Sequence, residues 1–313
     1  MKPCMRMILC VLFSLPASAG VLSDIIDSTT DAIGVETGGT VDPSLVKGAV
    51  KLGTAAAKMA DNHLGPVEEF YLGRTVAARL LGGYPKTLPS DHPAARYVSE
   101  VGLTVTRASR APYLYRPYTF ILLDTAEKNA FAAPGGIIFV TTGLLKSLDN
   151  EDELAGVLGH ETAHIELRHG LKTIEQENQI NFLGTAKEVA VDTAANTTGA
   201  THEEVQVFDQ LTGPVVDGLM DDIRNGYSVE QEAEADARSL EICNGLGYDP
   251  KAFVNLLSRM ESEQGGGSAV RYPADRGRLT AGVLKGLKGS DAAAVIPERT
   301  TRFQQAMETL PAN

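Results

Sequence analysis

Apolar positions recur at helical spacing through most of this chain and alternate only in one short region. Residues 66–82 (PVEEFYLGRTVAARLLG) and 93–109 carry the 3.6-residue period of amphipathic helices. YTFILLD (118–124) reads as a strand. NAFAAPGGIIFVTTGLL (129–145) holds a second strand, GIIFV, entered through a Pro-Gly-Gly turn. Everything after residue 142 has a helical pattern, broken at glycines. Two adjacent strands flanked by helices predict an α+β fold, predominantly α-helical, with a small sheet. Residues 183–227 have no strong period and predict one or two helices around a loop, with THEE (201–204) as a capping box. Residues 20–62, rich in Gly, Thr and Ala, predict a loosely packed N-terminal arm.

Composition narrows the class. At 43% hydrophobic and 22% charged, the chain is expected to bury a core. Its net charge of −12 argues against nucleic acid, which needs a basic face. Lys2 and Arg6, the short apolar run 7–15 and the small residues Ala17-Ser18-Ala19 together predict a signal peptide over 1–19, cleaved after Ala19. That run is too short to span a bilayer, and no later stretch is long enough, so no transmembrane segment is expected in the mature chain. Cys4 and Cys10 would leave with the signal. Cys243 then remains, expected as a buried apolar residue with no disulfide. Export without disulfides points to a bacterial periplasm.

The chemistry concentrates in LGHETAHIELRHG (158–170), which holds three of the six histidines. Asn150 followed by Glu153 predicts a helix start, and Gly170 a stop. Leu154, Val157, Leu158 and Ile165 form its apolar stripe. Glu161, seven residues after Leu154, falls within roughly 20° of the stripe, so a carboxylate stands where an apolar side chain belongs. His160 and His164 are four apart and stack on successive turns. This is the HExxH arrangement: two imidazoles hold one zinc while the glutamate serves as base for its water.

A catalytic zinc needs a third protein ligand and an open position. YSVEQEAEADARSL (227–240) offers one on a helix that Ser228 and Gln231 cap. Glu230, Glu232, Glu234 and Asp236 are all candidates. Glu232 and Asp236 lie one turn apart, so one can bind metal while the other accepts a hydrogen bond from a ligand histidine.

These motifs resemble the gluzincin metallopeptidases of the CAAX prenyl protease and HtpX type, peptidase family M48. The likeness runs from about Leu64 to Arg278 and is densest in NAFAAPGGIIFVTTGLLKSLDNEDELAGVLGHETAHIELRHG. It implies a metallopeptidase domain over 63–313 holding one zinc per chain, with Glu232 as third ligand and Asp236 behind it. GIIFV resembles the family's edge strand, with Gly136, Ile137, Ile138 and Phe139 gripping an extended substrate; a plain sheet strand fits the same letters equally well. Arg168-His169 match the family too; as cations in a helix's last turn, where the dipole favours them, they read as structural. The family often has His-Pro, with an arginine six residues after the His, where this chain has Tyr272-Pro273 and Arg278. Tyr272 and Arg278 are therefore expected to face the cleft, Tyr272 as a donor to developing oxyanion charge; the alternative is that Tyr272 packs beside Pro273 and Arg278 pairs with an acidic neighbour.

The function so implied is a periplasmic zinc endopeptidase with Glu161 as general base. Its expected substrates are unfolded or outer-membrane polypeptides in envelope quality control, a role that rests on the resemblance alone. The alternative is an envelope chaperone or adaptor that keeps the fold but cuts little. Glu161, which a binding module would not need, counts against it. A structural zinc site is weaker still, since closed sites usually have four protein ligands.

Overall fold

The computed structural model describes residues 64–84, 86–176, 216–264, 275–288 and 296–311. All of them belong to one compact unit, Leu64–Gln176 with Pro214–Asn313. The expected signal peptide, the arm over 20–62, the capping box at 201–204 and Tyr272 lie outside the described residues.

Helices α1 (Pro66–Gly83) and α2 (Pro93–Thr106) form where their period predicts, each with proline in its first turn. His92 caps α2 by accepting from the Ala94 amide. Three strands follow, not two: β1 (Thr119–Leu123), β2 (Ala130–Ala133) and β3 (Ile137–Thr141). Their order is β1-β3-β2, with β1 parallel and β2 antiparallel to β3. The Ala-rich AFAA has little strand propensity of its own. It becomes a strand because the Pro134-Gly135-Gly136 turn folds it back on β3. Gly135 and Gly136 have φ of 73° and 97°, which suit glycine.

This topology corrects the expected edge strand. β3 is central and paired on both sides, and Ile138 and Phe139 are completely buried. Gly136, Ile137, Ile138 and Phe139 therefore have no free backbone edge to offer a substrate. Among the described residues β2 holds the edge position instead.

After β3 come α3 (Thr142–Ser147) and α4 (Glu151–Glu166), the latter capped by Asn150 accepting from the Glu153 amide. α4 is buried on every face from Glu151 to Ile165 and packs against β2, α2 and helices from the C-terminal half of the chain. It ends at Glu166, before the predicted stop at Gly170. Arg168 adopts φ 56°, and α5 (His169–Gln176) starts immediately afterwards, so Gly170 lies inside a helix. Residues 216–225 form α6. α7 (Val229–Gly245) starts at the Ser228/Gln231 capping box, followed by α8 (Pro250–Gln264), α9 (Arg276–Gly286) and α10 (Pro297–Met307). The described chain is thus α+β and predominantly helical.

Three acidic residues anchor the start of α4, each against an arginine from the C-terminal half. Glu151 pairs with Arg302 and accepts from the hydroxyls of Tyr97 (2.6 Å) and Tyr248 (3.0 Å). Asp152 meets Arg299 and the Asp249 amide. Glu153 meets Arg259 through two bonds. These contacts hold the helix in register with its neighbours. Cys243 is fully buried and free, as expected for a small apolar residue. No helix among the described residues is long and apolar enough to cross a membrane.

Candidate metal centre

Two histidines on α4 and one glutamate on α7 converge below the β2 edge. The four-residue spacing on a straight helix stacks His160 and His164, and their Nε2 atoms lie 2.9 Å apart. Glu232 comes from the first turn of α7. Its Oε2 is 3.4 Å from His160 Nε2, and its Oε1 is 3.8 Å from His164 Nε2. One ligand atom from each residue falls within 4.8 Å of the others, and all three residues are buried.

The donor set fits a divalent cation. Glu232 Oε1 accepts the Tyr227 amide at 3.0 Å, while Oε2 is buried with no hydrogen-bond partner among the described residues. The nearest cationic groups to Oε2, His160 Nε2 and Arg276 Nη2, stand 3.4 Å away without forming a hydrogen bond. Leaving a buried carboxylate oxygen so poorly satisfied is costly, and a cation held with the two imidazoles would satisfy it. Two imidazoles and one carboxylate are also a ligand set of catalytic zinc sites. Glu230 and Glu234 are exposed; neither is in the converging group.

A second layer orients the ligands. Asp236, one turn after Glu232, lies 2.9 Å from His160 Nδ1, leaving Nε2 to face the site. Arg276 holds Asp236 through Nε to Oδ2 (2.7 Å) and Nη2 to Oδ1 (2.6 Å), and Thr280 donates to Oδ2. Arg276 Nη2 also lies 3.4 Å from Glu232 Oε2. The Tyr227 ring stacks on His164 at 4.6 Å between centroids. α7 can approach α4 this closely because Gly159 faces Ser239, whose hydroxyl donates to the Gly156 carbonyl at 2.7 Å.

Electrostatics follow from this crowding. Burial and the Arg276 charge oppose protonation of His160, but Asp236 and Glu232 outweigh them and push it up to about 9. Burial and the neighbouring His160 drive His164 well below the usual range. Burial opposes ionisation of Glu232 and Asp236. His160 and Arg276 overcome it for both, with His164 adding to the pull on Glu232, so both carboxyls sit well below ordinary values. Glu161 shares the cleft with His160 and is pushed up to about 7, chiefly by burial.

Arg278 does not face the cleft. It is exposed and pairs with Asp275 at 2.6 Å, while Arg276, two residues earlier, holds the buried position. α9 begins at Arg276, so Arg276 and Thr280 share the inward face and Arg278 turns outward. Spacing from Tyr272 could not separate two arginines in DRGR. The edge strand, Tyr227 and Arg276 were not indicated by the sequence, while His169, which the sequence reads as structural, reaches the ligand His164. The i,i+4 spacing of Arg276 and Thr280 is the local hint of the inward arginine. The cleft itself runs along Asn129–Ala132 beside His160, Glu161 and His164, with Tyr227 opposite.

The model of Peptidase family M48 matches residues 92–310. The chain is 26% identical over 196 residues to the beta-barrel assembly-enhancing protease of Escherichia coli (strain K12), covering 62% of this chain and 37% of that protein. It is 29% identical over 181 residues to the mitochondrial metalloendopeptidase OMA1 of Schizosaccharomyces pombe, covering 58% and 48%. Metalloprotease YcaL of Escherichia coli (strain K12) is 28% identical over 150 residues, covering 48% and 54%. The chain thus spans roughly a third to a half of the length of these relatives.

Proposed function

Because this chain belongs to Peptidase family M48, we propose that it is a zinc-dependent endopeptidase cutting exposed polypeptides in the bacterial envelope. The convergence of His160, His164 and Glu232 beside the buried Glu161 carries this reading. His160, His164 and Glu232 would hold the metal. Zinc bound there would act as a Lewis acid on the scissile carbonyl and lower the pKa of water to about 7.

This chain's own residues supply the rest. Glu161 takes a proton from the attacking water and returns it to the leaving amine. Burial raises its carboxyl in the metal-free protein, and the charge of a bound zinc would favour the ionised form that accepts the proton. Asp236 orients His160 and, through Arg276, is itself held rigid. β2 offers the backbone on which an extended substrate adds as a strand, bringing its carbonyl over the site. Substrate recognition through backbone suits unfolded chains, whose amides are unpaired. The name of the beta-barrel assembly-enhancing protease supports outer-membrane proteins as substrates here, and the N-terminal export pattern supports the periplasm.

The test is zinc content and casein cleavage for wild type and Glu161→Gln. The variant should keep one zinc per chain and lose proteolysis. Activity within tenfold of wild type would remove Glu161 from the reaction.

A further inference from the structure

The dipeptide Arg168-His169 has no part in the mechanism above, yet its histidine is completely buried against a metal ligand. His169 Nδ1 lies 2.9 Å from His164 Nδ1, and His169 Nε2 lies 3.2 Å from Glu234 Oε2. The backbone makes this contact at a cost. Arg168 takes φ 56°, a left-handed conformation uncommon for a residue with a side chain. That turn breaks the helix after Glu166 and sets His169 against His164, five residues earlier. The first turn of α7 also reaches this spot, since Gln231 Nε2 donates to the His169 carbonyl at 3.4 Å.

Proton bookkeeping fixes the direction of the chain. An ionised carboxylate only accepts, so His169 Nε2–H donates to Glu234. A neutral imidazole has one donor and one acceptor, so His169 Nδ1 accepts. His164 Nδ1–H must then donate to it, which leaves the His164 Nε2 lone pair facing His160 and Glu232. We propose that His169, held by Glu234, is a positioning residue that sets the tautomer and ring angle of the metal ligand His164.

The two ligand histidines are then supported alike but not equally. Asp236 reaches His160 directly and is buried, whereas Glu234 acts through a second imidazole and is half exposed. The Glu234 charge is screened by water, and Lys172 Nζ lies 3.8 Å from it. Its effect is therefore orientation and tautomer more than charge. Tyr227, stacked on the His164 face, stops the ring tilting but cannot choose its tautomer.

The inference rests on the metal-centre reading, and its test is zinc affinity, with no dependence on turnover. Chelator competition would give the zinc Kd of wild type, His169→Leu, His169→Asn and Glu234→Ala, with circular dichroism as the check on folding and the cobalt(II) spectrum as the check on geometry. Leucine fills the space without an acceptor, and should weaken zinc by about 10–100-fold. Asparagine places an oxygen where Nδ1 stands, and should recover most of that loss. Glu234→Ala changes an exposed side chain and should weaken zinc by a smaller factor, about threefold to tenfold. A folded His169→Leu with wild-type Kd and cobalt spectrum overturns the proposal, as does an asparagine variant no better than leucine. Should His169→Leu fail to fold, Glu234→Ala decides, and an unchanged Kd there overturns it. A wild-type chain that binds no zinc would overturn the metal centre itself.

Discussion

Replacing Arg276 by methionine removes a buried guanidinium and leaves the buried Asp236 carboxylate with only His160 and Thr280 as polar partners among the described residues. Arg276 is 4% exposed and Asp236 is 2% exposed. They share two bonds of 2.6 and 2.7 Å. Breaking a buried pair by deleting one partner typically costs about 3–5 kcal/mol. Thr280 and His160 still contact Asp236 in the variant, so the lower end applies, about 3 kcal/mol. For a unit of this size, each kcal/mol moves Tm by about 2–4 °C, so the expected fall is about 6–12 °C. The assay is thermal unfolding in chelator, so that metal binding does not mask the effect. Adding Asp236→Asn should restore part of the loss, because the orphaned charge is gone, and a double-mutant cycle should give coupling of at least about 1 kcal/mol. Arg278→Met is the control. Its side chain is exposed and pairs only with the exposed Asp275, so it should melt with the wild type. An Arg276→Met protein that melts within 2 °C of wild type, or a cycle without coupling, would refute the buried pair.

Metal uptake should depend on pH in a defined direction. His160 is pushed up to about 9, so near neutral pH the metal-free site carries a proton that zinc must displace. Apparent zinc affinity should rise about tenfold per pH unit up to about 9, with about one proton released, measured by calorimetry in two buffers. Packing of α4 on α8 gives another test. A Cβ on Gly156 would stand 2.5 Å from Phe253 Cβ, so Gly156→Ala should lose about 1–3 kcal/mol in urea unfolding. Gly282, helical and open to solvent, should instead gain up to about 1 kcal/mol when changed to alanine.

What the letters determined by themselves were the features whose causes lie within a few residues. Asn150 and Ser228 cap helices because their side chains reach amides three residues on. His160 and His164 stack because one helical turn separates them. Fold class followed from the period of apolar positions. Even Glu232 needed more than this: the acidic start of α7 left four carboxylates open, and family likeness chose among them. Tertiary packing decided everything set by partners distant in sequence. AFAA became the edge strand only by pairing with β3, and GIIFV became central because β1 took its other side. Arg276 was chosen over Arg278 by where α9 begins and which face it turns to Asp236, forty residues earlier. His169 reached His164 because Arg168 bends the backbone out of the helix it was expected to continue. A charged or polar side chain has the same local propensity whether it faces water or a ligand histidine. Its surroundings depend on which distant elements pack around it, and that information is absent from any short stretch of sequence.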